Sequence, residues 1–539
     1  MHESEASAPM RQSFVTGTSA AELLAQDCAT IPDAIRAQAI ERPQSTALVM
    51  DGARLSYAEL DELMDRVAAT LREHGVQSGD VIAFCASSSF EYLATFLGAV
   101  RAGVVPAPLL LTAAAADLAA MLSDSGAKLL FVDQAGAQRF AHPESAAPTR
   151  IWLDGTAEPS LHEWLRPRDG LPFAAQIPPD SPFNIIYSSG TTGTPKGIVQ
   201  PHRMRWAHVK RATRLLGYNS SSVVMVPTPL YSNLTLVNLL PALACGGTAV
   251  IMPKFDAARF LEISVDVGAT HTMLVPVQYR RILDVGHFDR FDLSSFVMKV
   301  CAGAPCAPEL KAEIMQRWPG ALVDLFGMTE GGGTCLLFAD EHPDKLHTVG
   351  RPQPGHDIRI VKEDGSEARV GELGEVVGHS EAMMLGYHNQ PARTQEVLWE
   401  DGTGRRFIRT GDIGVFDADG FLIIKDRKKD MIISGGFNVY PSDLERVLRK
   451  HDAVQDAAVV GVPSVQWGET PVAFVTLRDG ACADAEQIRE WANAQLGKTQ
   501  RISALEIIDA MPRSGVDKIL KSVLRERAVA RTQARKVFA

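Results

Sequence analysis

A run rich in glycine, serine and threonine follows an apolar segment about one third of the way along the chain. The run reads YSSGTTGTPKG over residues 187–197, and the apolar segment at 183–186 before it predicts a strand. Glycines let backbone N–H groups converge on an anion, hydroxyls add donors, and Lys196 supplies the positive charge that polyphosphate requires. The spacing of a Walker A loop is absent, since no Ser or Thr follows the lysine. The residues favour a phosphate-binding loop of another class, with a flexible surface loop as the alternative.

Further polar and glycine-containing segments that could contribute to such a site recur along the chain. They read CAGAP at 301–305, DLFGMTE at 324–330, RTGD at 409–412, DRKKD at 426–430 and MPRSGVDKILK at 511–521. In isolation each has an ordinary interpretation, because a Thr-Glu pair caps helices, TGD forms turns and a charge run is a solvated surface. Together, and in this order, they resemble the motifs of the adenylate-forming superfamily of acyl- and aryl-CoA synthetases, adenylation domains and firefly luciferase.

The resemblance implies roles in nucleotide binding for particular residues. Thr329 is expected to contact phosphate, and Glu330 to hold Mg²⁺, which prefers one or two carboxylates plus phosphate oxygens. Asp412 is expected to accept hydrogen bonds from the ribose hydroxyls, and Arg427 to contact the nucleotide. The catalytic residues implied are Lys518, Glu330 and Thr191. The residues expected to bind ATP or AMP are Ser188, Ser189, Gly190, Thr191, Thr192, Gly193, Lys196, Gly303, Ala304, Pro305, Asp324, Leu325, Phe326, Gly327, Thr329, Asp412, Arg427 and Lys518.

The resemblance also implies a second half-reaction, in which a thiol attacks the adenylate after the C-terminal domain turns about a hinge. Lys429 is the expected hinge, and the segment that would line the channel for coenzyme A comprises Ser434, Gly435, Gly436 and Asn438. Two positions depart from the family pattern, because Asp426 and Asp517 stand where the family usually has glycine. A carboxylate at Asp517 could raise the pKa of the neighbouring lysine or shift its loop, which puts the efficiency of adenylation in question.

The acyl pocket is expected to accept a hydrophobic acid. The segment PLYSN at 229–233 resembles the pocket motif of hydroxycinnamate ligases, with Ser232 in place of their histidine. No Asp is present there to pair an ammonium group, which argues against an α-amino acid. The glycines after Glu330 are expected to leave room for a bulky or long tail. The expected pocket residues are Tyr231, Ser232, Asn233, Gly303, Gly331 and Gly332.

The elements that position these residues can be predicted from periodicity and turn signals. Ser56 and Glu59 form a capping box before apolar residues at helical spacing, and 81–85 is predicted as a buried strand. Strands and helices alternate to residue 330, which predicts a parallel α/β sheet, and short strands with glycine turns from 373 onward predict a small β subdomain. A helix is expected near Pro441, with Ser442 and Glu445 as a capping box.

The predicted fold class is α/β, with two domains. The expected N-terminal domain, 1–428, contains parallel α/β sheets and a small β subdomain, and binds AMP and the acyl group. The expected C-terminal domain, 429–539, is a small mobile α+β unit that carries the catalytic lysine. A chain of 539 residues is too long for one compact core.

Composition excludes several function classes. A net charge of −10 argues against nucleic acid as the main partner. The apolar stretch 92–112 is interrupted by Arg101, Gly103, Pro106 and Pro108, which predicts a buried helix and strand and no membrane span. The seven cysteines are scattered without a CxxC pair, so reduced thiols are expected, with no disulfide or zinc site. The N-terminus lacks the features of a signal peptide, and a cytoplasmic location is expected.

The sequence thus predicts an ATP-dependent carboxylate–CoA ligase, an acid–thiol ligase that forms an acyl adenylate and then a thioester. Its expected cofactors and substrates are ATP, Mg²⁺, coenzyme A and a hydrophobic carboxylic acid. One alternative is a stand-alone adenylation enzyme that loads an acyl carrier protein, and another is a noncatalytic adenylate-binding protein. The oligomeric state is left open.

Overall fold

The computed structural model describes residues 18–140, 148–167, 175–188, 196–435, 437–464, 466–497, 500–513 and 519–537. The chain divides into two compact units, of which the first contains 1–111 and 115–254 and the second contains 112–114 and 255–539. This division does not test the boundary expected between residues 428 and 429, which stays a prediction. Within the described ranges, no helix is both long and apolar enough to cross a membrane.

The first unit alternates helices with short, mostly buried strands. Its helices are Ala20–Ala25, Ile31–Glu41, Tyr57–Glu73, Phe90–Arg101, Ala115–Ser125, Gln134–Gln138, Leu161–Trp164, His202–Leu215 and Asn233–Ala244. Its strands are Thr46–Met50, Ala53–Ser56, Val81–Cys85, Val105–Pro108, Leu129–Val132, Thr149–Trp152, Pro182–Ser188, Lys196–Pro201, Val223–Val226 and Thr248–Ile251.

Parallel pairing dominates the sheets of the first unit. Val81–Cys85 lies between Val105–Pro108 and Leu129–Val132, and all three run parallel. Such strands need helical crossovers, and the sequence supplies them with marked ends. Ser56 accepts a hydrogen bond from the backbone of Glu59, whose side chain returns to Ser56, so the predicted capping box is confirmed. The predicted strand at 81–85 is confirmed as well.

The second unit contains a further α/β portion followed by β-rich and α+β portions. Its α-helices are Ala257–Val267, Pro276–Leu283, Pro308–Arg317, Pro391–Glu396, Pro441–Leu448, Ala485–Asn493 and Lys521–Val537, with 3-10 turns at Phe288–Arg290 and Pro343–Lys345. Its strands are His271–Leu274, Met298–Ala302, Ala321–Phe326, Cys335–Phe338, Arg351–Pro352, Asp357–Val361, Gly374–His379, Gly386–Tyr387, Leu398–Glu400, Arg406–Phe416, Leu422–Arg427, Ile432–Ser434, Phe437–Val439, Val454–Ser464, Gly468–Leu477 and Ala504–Ile507.

Strand pairing in the second unit changes character along the chain. Met298–Ala302 pairs in parallel with His271–Leu274 and with Ala321–Phe326, as the α/β prediction requires. The later strands Gly374–His379 and Arg406–Phe416 pair antiparallel, which matches the predicted β subdomain. The α/β fold class with parallel sheets, a β portion and an α+β C-terminal portion is therefore confirmed.

The capping box expected at Ser442 and Glu445 is wrong. The helix does begin at Pro441, but its N-cap residue is Tyr440, and this side chain makes no capping hydrogen bond. Ser442 lies inside the helix, and its backbone N–H is capped by the carboxylate of Asp426 at 2.8 Å. The pattern failed because the cap comes from a residue 16 positions earlier in the chain.

Candidate nucleotide and acyl site

The ends of the predicted phosphate loop are held together by an antiparallel pair of strands in the first unit. Ser188 closes the strand Pro182–Ser188 and is the register partner of Lys196, which opens the next strand. Ser188 Oγ is buried and, among the described residues, has no hydrogen-bond partner, which suits a phosphate oxygen as acceptor. The remaining predicted loop residues, which lie outside the described residues, are Ser189, Gly190, Thr191, Thr192 and Gly193.

The predicted acyl-pocket segment lies at the start of the helix Asn233–Ala244. Tyr231 and Ser232 are buried, with 6% and 8% of their surfaces exposed. Ser232 is the N-cap residue of the helix, yet its hydroxyl makes no capping bond. The Asn233 Oδ1 accepts a hydrogen bond from Gln200 Nε2 at 3.1 Å. The segment is thus a mostly buried helix start without a carboxylate of its own.

A buried guanidinium supports this segment, and the sequence patterns did not single it out. Arg205 donates to the side-chain oxygens of Asn184, at 3.0 and 3.1 Å, and of Gln200. Gln200 in turn holds Asn233. Burial lowers the pKa of Arg205 to about 9, which still leaves the guanidinium protonated at neutral pH. The signal that could have identified Arg205 in the sequence is its position on the buried face of the helix His202–Leu215.

In the second unit, the predicted CAGAP segment forms the turn after a buried strand. The strand Met298–Ala302 ends immediately before Gly303, which has a φ of +84°. This left-handed conformation favours glycine, and the chain bends at Gly303 and Ala304. Gly303 and Pro305 are exposed and Ala304 is half-buried, so this turn is accessible to a ligand.

Asp324 is paired within the unit. Its carboxylate forms a buried ion pair with Lys311, whose Nζ also donates to the carbonyl oxygens of Leu346, at 3.0 Å, and Thr348, at 2.9 Å. Burial raises the pKa of Asp324, and the charge of Lys311 opposes that effect. Nucleotide binding by Asp324, Leu325, Phe326 and Gly327 stays a prediction, and the structure gives Asp324 a structural role in any case.

Glu330 is held by a tyrosine that is 57 positions away in the sequence. Tyr387 Oη donates a hydrogen bond to Glu330 Oε1 at 2.8 Å, and both residues are buried. Burial and the charge of Glu330 raise the pKa of Tyr387, so its hydroxyl remains a donor at neutral pH. The backbone carbonyl of Glu330 accepts from Met384 N at 2.9 Å. The carboxylate is therefore fixed in direction before any ligand binds.

This arrangement fits Mg²⁺ held mainly by phosphate. The described part of the chain has no group of three or more His, Cys, Asp or Glu side chains that could hold a metal ion. Mg²⁺ bound through nucleotide phosphates needs only one or two carboxylates. Glu330, whose carboxylate is oriented by Tyr387, would supply one such carboxylate if the predicted Mg²⁺ binds there.

Tyr387→Phe is expected to raise the Mg²⁺ concentration needed for half-maximal activity by about tenfold, because a group that orients a metal ligand typically contributes this much to affinity. Steady-state rates at varied Mg²⁺ measure the effect. Tyr92→Phe is the matched control, since Tyr92 Oη is buried with no hydrogen-bond partner among the described residues. Equal Mg²⁺ dependence in both variants would count against an orienting role.

The glycines after Glu330 are required by packing. Gly331 and Gly332 have φ values of +79° and +87°. A Cβ at Gly331 would overlap the carbonyl oxygen of Ala382, and one at Gly332 would lie 2.8 Å from the carbonyl oxygen of Gly378. Protein backbone fills the space that a side chain would take at Gly331 and Gly332. The missing side chains therefore leave no room of their own for a substrate tail, contrary to the expectation. The contact of these glycines with the acyl group stays a prediction.

Gly331→Ala is expected to lower the free energy of unfolding by about 2–3 kcal/mol, because both its φ and its contact with Ala382 exclude a side chain. Thermal unfolding followed by circular dichroism measures the shift in melting temperature. Gly402→Ala is the control, since a Cβ there would have no atom within 4 Å. A variant at 331 as stable as the one at 402 contradicts the packing argument.

Asp412 and Arg427 are opposite each other on adjacent antiparallel strands. Arg427 Nε lies 2.8 Å from Asp412 Oδ1, and the carboxylate is buried, whereas the arginine is partly exposed. Arg427 Nη1 also donates to the carbonyl oxygen of Thr410 at 3.2 Å. The second unit thus brings together the residues predicted to bind the ribose and the nucleotide, with acceptor and donor side by side.

The expected channel segment forms a hairpin in the second unit. Ser434 ends one strand, Asn438 lies in the next, and Gly435 between them has a φ of +59°. Gly435 N donates to the carbonyl oxygen of Trp467 at 2.8 Å. Lys429, the expected hinge, is exposed before this hairpin. Gly436 and Lys518 lie outside the described residues, as does Asp517.

Comparison with known proteins identifies the family. The model of the AMP-binding enzyme family matches residues 35–388, and that of the AMP-binding enzyme C-terminal domain matches 443–518. A feruloyl-CoA synthase of an Amycolatopsis species is 32% identical over 496 residues, with 90% of this chain and 96% of the relative covered. The fatty acid–[acyl-carrier-protein] ligase ScoC of Streptomyces coeruleorubidus is 30% identical over 494 residues, with 90% and 94% covered.

A solved structure agrees with this assignment. The amide bond synthetase McbA from Marinactinospora thermotolerans superposes with a TM-score of 0.83 at 28% identity, covering 93% of this chain and 100% of that structure. The ordered motifs, the buried Glu330 and the Asp412–Arg427 pair thus occur in a chain whose relatives share nearly its full length. The chain belongs to the AMP-binding enzyme family and is an AMP-forming acid–thiol ligase that uses ATP.

Proposed function

We propose that the enzyme activates a hydrophobic carboxylic acid, fatty, aryl or related, as an acyl adenylate and then transfers the acyl group to the thiol of coenzyme A. The observation that carries the choice of acid is the segment Tyr231–Ser232–Asn233, whose first two residues are buried and which offers an aromatic ring and no carboxylate. A desolvated ammonium group would need a counter-charge there. The named activities of the two relatives, on ferulate and on a fatty acid, support a hydrophobic acid.

In the first half-reaction the carboxylate attacks the α-phosphorus of ATP and pyrophosphate leaves. Ser188, Lys196 and the loop between them are assigned to phosphate, Asp412 to the ribose hydroxyls, and Arg427 to the nucleotide. Lys518 is assigned to stabilise the negative charge that develops during the attack. When bound, Mg²⁺ supplies charge neutralisation at the phosphates, with Glu330 as its protein ligand. Preorganised charges of this kind typically lower a barrier by several kcal/mol.

In the second half-reaction the thiol attacks the mixed anhydride and AMP leaves. This step requires Lys518 to withdraw and a thiol to approach along the Gly435 hairpin, with Lys429 as the pivot. We place the boundary of the mobile domain between residues 428 and 429. The separate match of the C-terminal family model at 443–518 supports this boundary. The scattered cysteines support a cytoplasmic location, where thiols stay reduced.

An acyl carrier protein is the alternative acceptor, and the activity for which the relative ScoC is named supports it. Both acceptors present the same pantetheine thiol, so the first half-reaction does not separate them. The choice depends on turnover with free coenzyme A.

The test is a panel of fatty, aryl and α-amino acids incubated with ATP and Mg²⁺, with coenzyme A, with a pantetheinylated carrier protein, or with neither. Mass spectrometry identifies the products. We expect acyl-AMP from hydrophobic acids without a thiol, acyl-CoA when coenzyme A is added, and no product from α-amino acids. Acylation of the carrier protein without acyl-CoA would reassign the acceptor, and absence of every acyl-AMP would reject adenylation.

A further inference from the structure

A carboxylate of the strand Leu422–Arg427 caps the helix Pro441–Leu448 of the C-terminal portion. Asp426 Oδ2 accepts a hydrogen bond from Ser442 N at 2.8 Å. The helix has no cap of its own, because the N-cap side chain of Tyr440 makes no such bond. A negative charge at a helix N-terminus also interacts favourably with the helix dipole. Asp426 therefore stabilises the attachment of this helix to the strand.

A lysine on the last helix strengthens the contact. Lys521 Nζ lies 2.7 Å from Glu445 Oε1, and its charge also acts on Asp426. Burial lowers the pKa of Lys521, but the charges of Glu445 and Asp426 outweigh burial and raise it. Glu445 Oε1 accepts a further hydrogen bond from Val459 N at 2.9 Å. The ammonium group is thus ion-paired with a carboxylate of its own portion, and its charge favours the ionised form of Asp426.

These contacts respond differently to a turn about Lys429. Ser442, Glu445 and Lys521 all follow the pivot in sequence and would move together, so the Glu445–Lys521 ion pair is retained. Asp426 precedes the pivot and stays with its sheet, where it is the register partner of Ile413. The contacts of Asp426 with the C-terminal portion therefore belong to one orientation alone.

We propose that Asp426 is a positioning residue that holds the C-terminal portion in one of its two working orientations and so sets the balance between the two half-reactions. The proposal rests on the two-step function proposed above. Asp426 acts through Ser442 N–H and Lys521, without touching a reactant. Removal of its carboxylate releases the orientation seen here, which slows the half-reaction that needs it and speeds the other.

The half-reactions are measured separately in Asp426→Gly and Asp426→Asn, by acid-dependent pyrophosphate exchange and by thioester formation from supplied acyl-AMP. We expect the ratio of the two rates to shift about tenfold in Asp426→Gly, because this is the typical effect of losing a hydrogen bond to a charged group. The two rates are expected to change in opposite directions. The shift is smaller in Asp426→Asn, whose amide oxygen still accepts a hydrogen bond. An unchanged ratio, or an equal fall of both rates, overturns the proposal.

Glu506→Gln is the matched control. Glu506 pairs with Arg527 and Arg531, so its ion pairs lie wholly within the portion that would move. This variant loses comparable ionic contacts and is expected to keep the wild-type ratio. A ratio shifted as far as in Asp426→Gly would show that any lost ion pair in this portion has the same effect, and would overturn the assignment to Asp426.

Hydrogen exchange of the helix 441–448 gives a measurement that does not depend on activity. The Ser442 amide is expected to exchange faster in Asp426→Gly than in the wild type or in Glu506→Gln. If the wild type forms no acyl-AMP, the proposed function is wrong. The exchange rate of the Ser442 amide then tests the contact between Asp426 and Ser442 independently of activity. Unchanged protection of the Ser442 amide in Asp426→Gly overturns the positioning role.

Discussion

Lys518→Ala is expected to lower acyl-adenylate formation by about a hundredfold to a thousandfold, while thioester formation from supplied acyl-AMP continues. The reason is that a fixed positive charge stabilises the attack on the α-phosphorus, and removing one such group typically costs this much. The second half-reaction starts from an activated anhydride and has no need of this charge. Acid-dependent pyrophosphate exchange and a direct thioester assay measure the two steps.

Lys450→Ala provides the control for a lost lysine in the same C-terminal portion. Lys450 is exposed just beyond the helix Pro441–Leu448 and has no assigned role. We expect both half-reactions of this variant to match the wild type. An equal loss of both steps in Lys518→Ala would contradict the assignment of Lys518 to adenylation. Full pyrophosphate exchange activity in this variant would show that Lys518 has no catalytic role.

Asp412→Ala is expected to reduce kcat/KM for ATP by about tenfold to a hundredfold, mostly through a higher KM. Its carboxylate is the acceptor assigned to the ribose hydroxyls, and a hydrogen bond to a charged group typically contributes about 1.5–3 kcal/mol. The variant also leaves Arg427 without the carboxylate that lies 2.8 Å away. Initial rates at varied ATP, at saturating acid, measure the change.

A loss of folding must be separated from a loss of binding in this variant. Breaking a buried ion pair can destabilise a protein by several kcal/mol, although the partial exposure of Arg427 reduces the effect here. Asp419→Ala is a matched control, because Asp419 is an exposed acidic residue near the same strands, paired with Lys345 at 2.5 Å. A KM for ATP in Asp412→Ala equal to that of the control would contradict the ribose assignment.

Local patterns predicted elements whose signals lie within a few residues of one another. The capping box of Ser56 and Glu59 joins residues three positions apart, the strand at 81–85 follows from a short apolar run, and the helix start at Pro441 follows from the proline itself. The antiparallel hairpin that carries Ser188 and Lys196 departs from the parallel pattern expected before residue 330. The sequence could not show this, because apolar strands look alike whichever direction they pair.

Contacts between residues that are distant in the sequence could not be predicted from local patterns. Nothing near Glu330 points to Tyr387, and nothing near Ser442 points to Asp426, since both partners come from other elements. Gly331 and Gly332 illustrate the same limit. Their composition suggested open space, whereas the backbone of the 378–382 segment fills it. Residue types thus indicated the chemistry, and long-range packing determined which groups hold the site in place.

The most direct test of the central claim is a product balance for one acid of the panel. ATP, Mg²⁺ and the acid are incubated with enzyme, first without and then with coenzyme A, and all nucleotides, pyrophosphate and acyl species are quantified. We expect enzyme-bound acyl-AMP with one pyrophosphate released before coenzyme A is added, and then equal amounts of AMP and acyl-CoA. Formation of ADP and phosphate in place of AMP and pyrophosphate would contradict an acyl-adenylate mechanism.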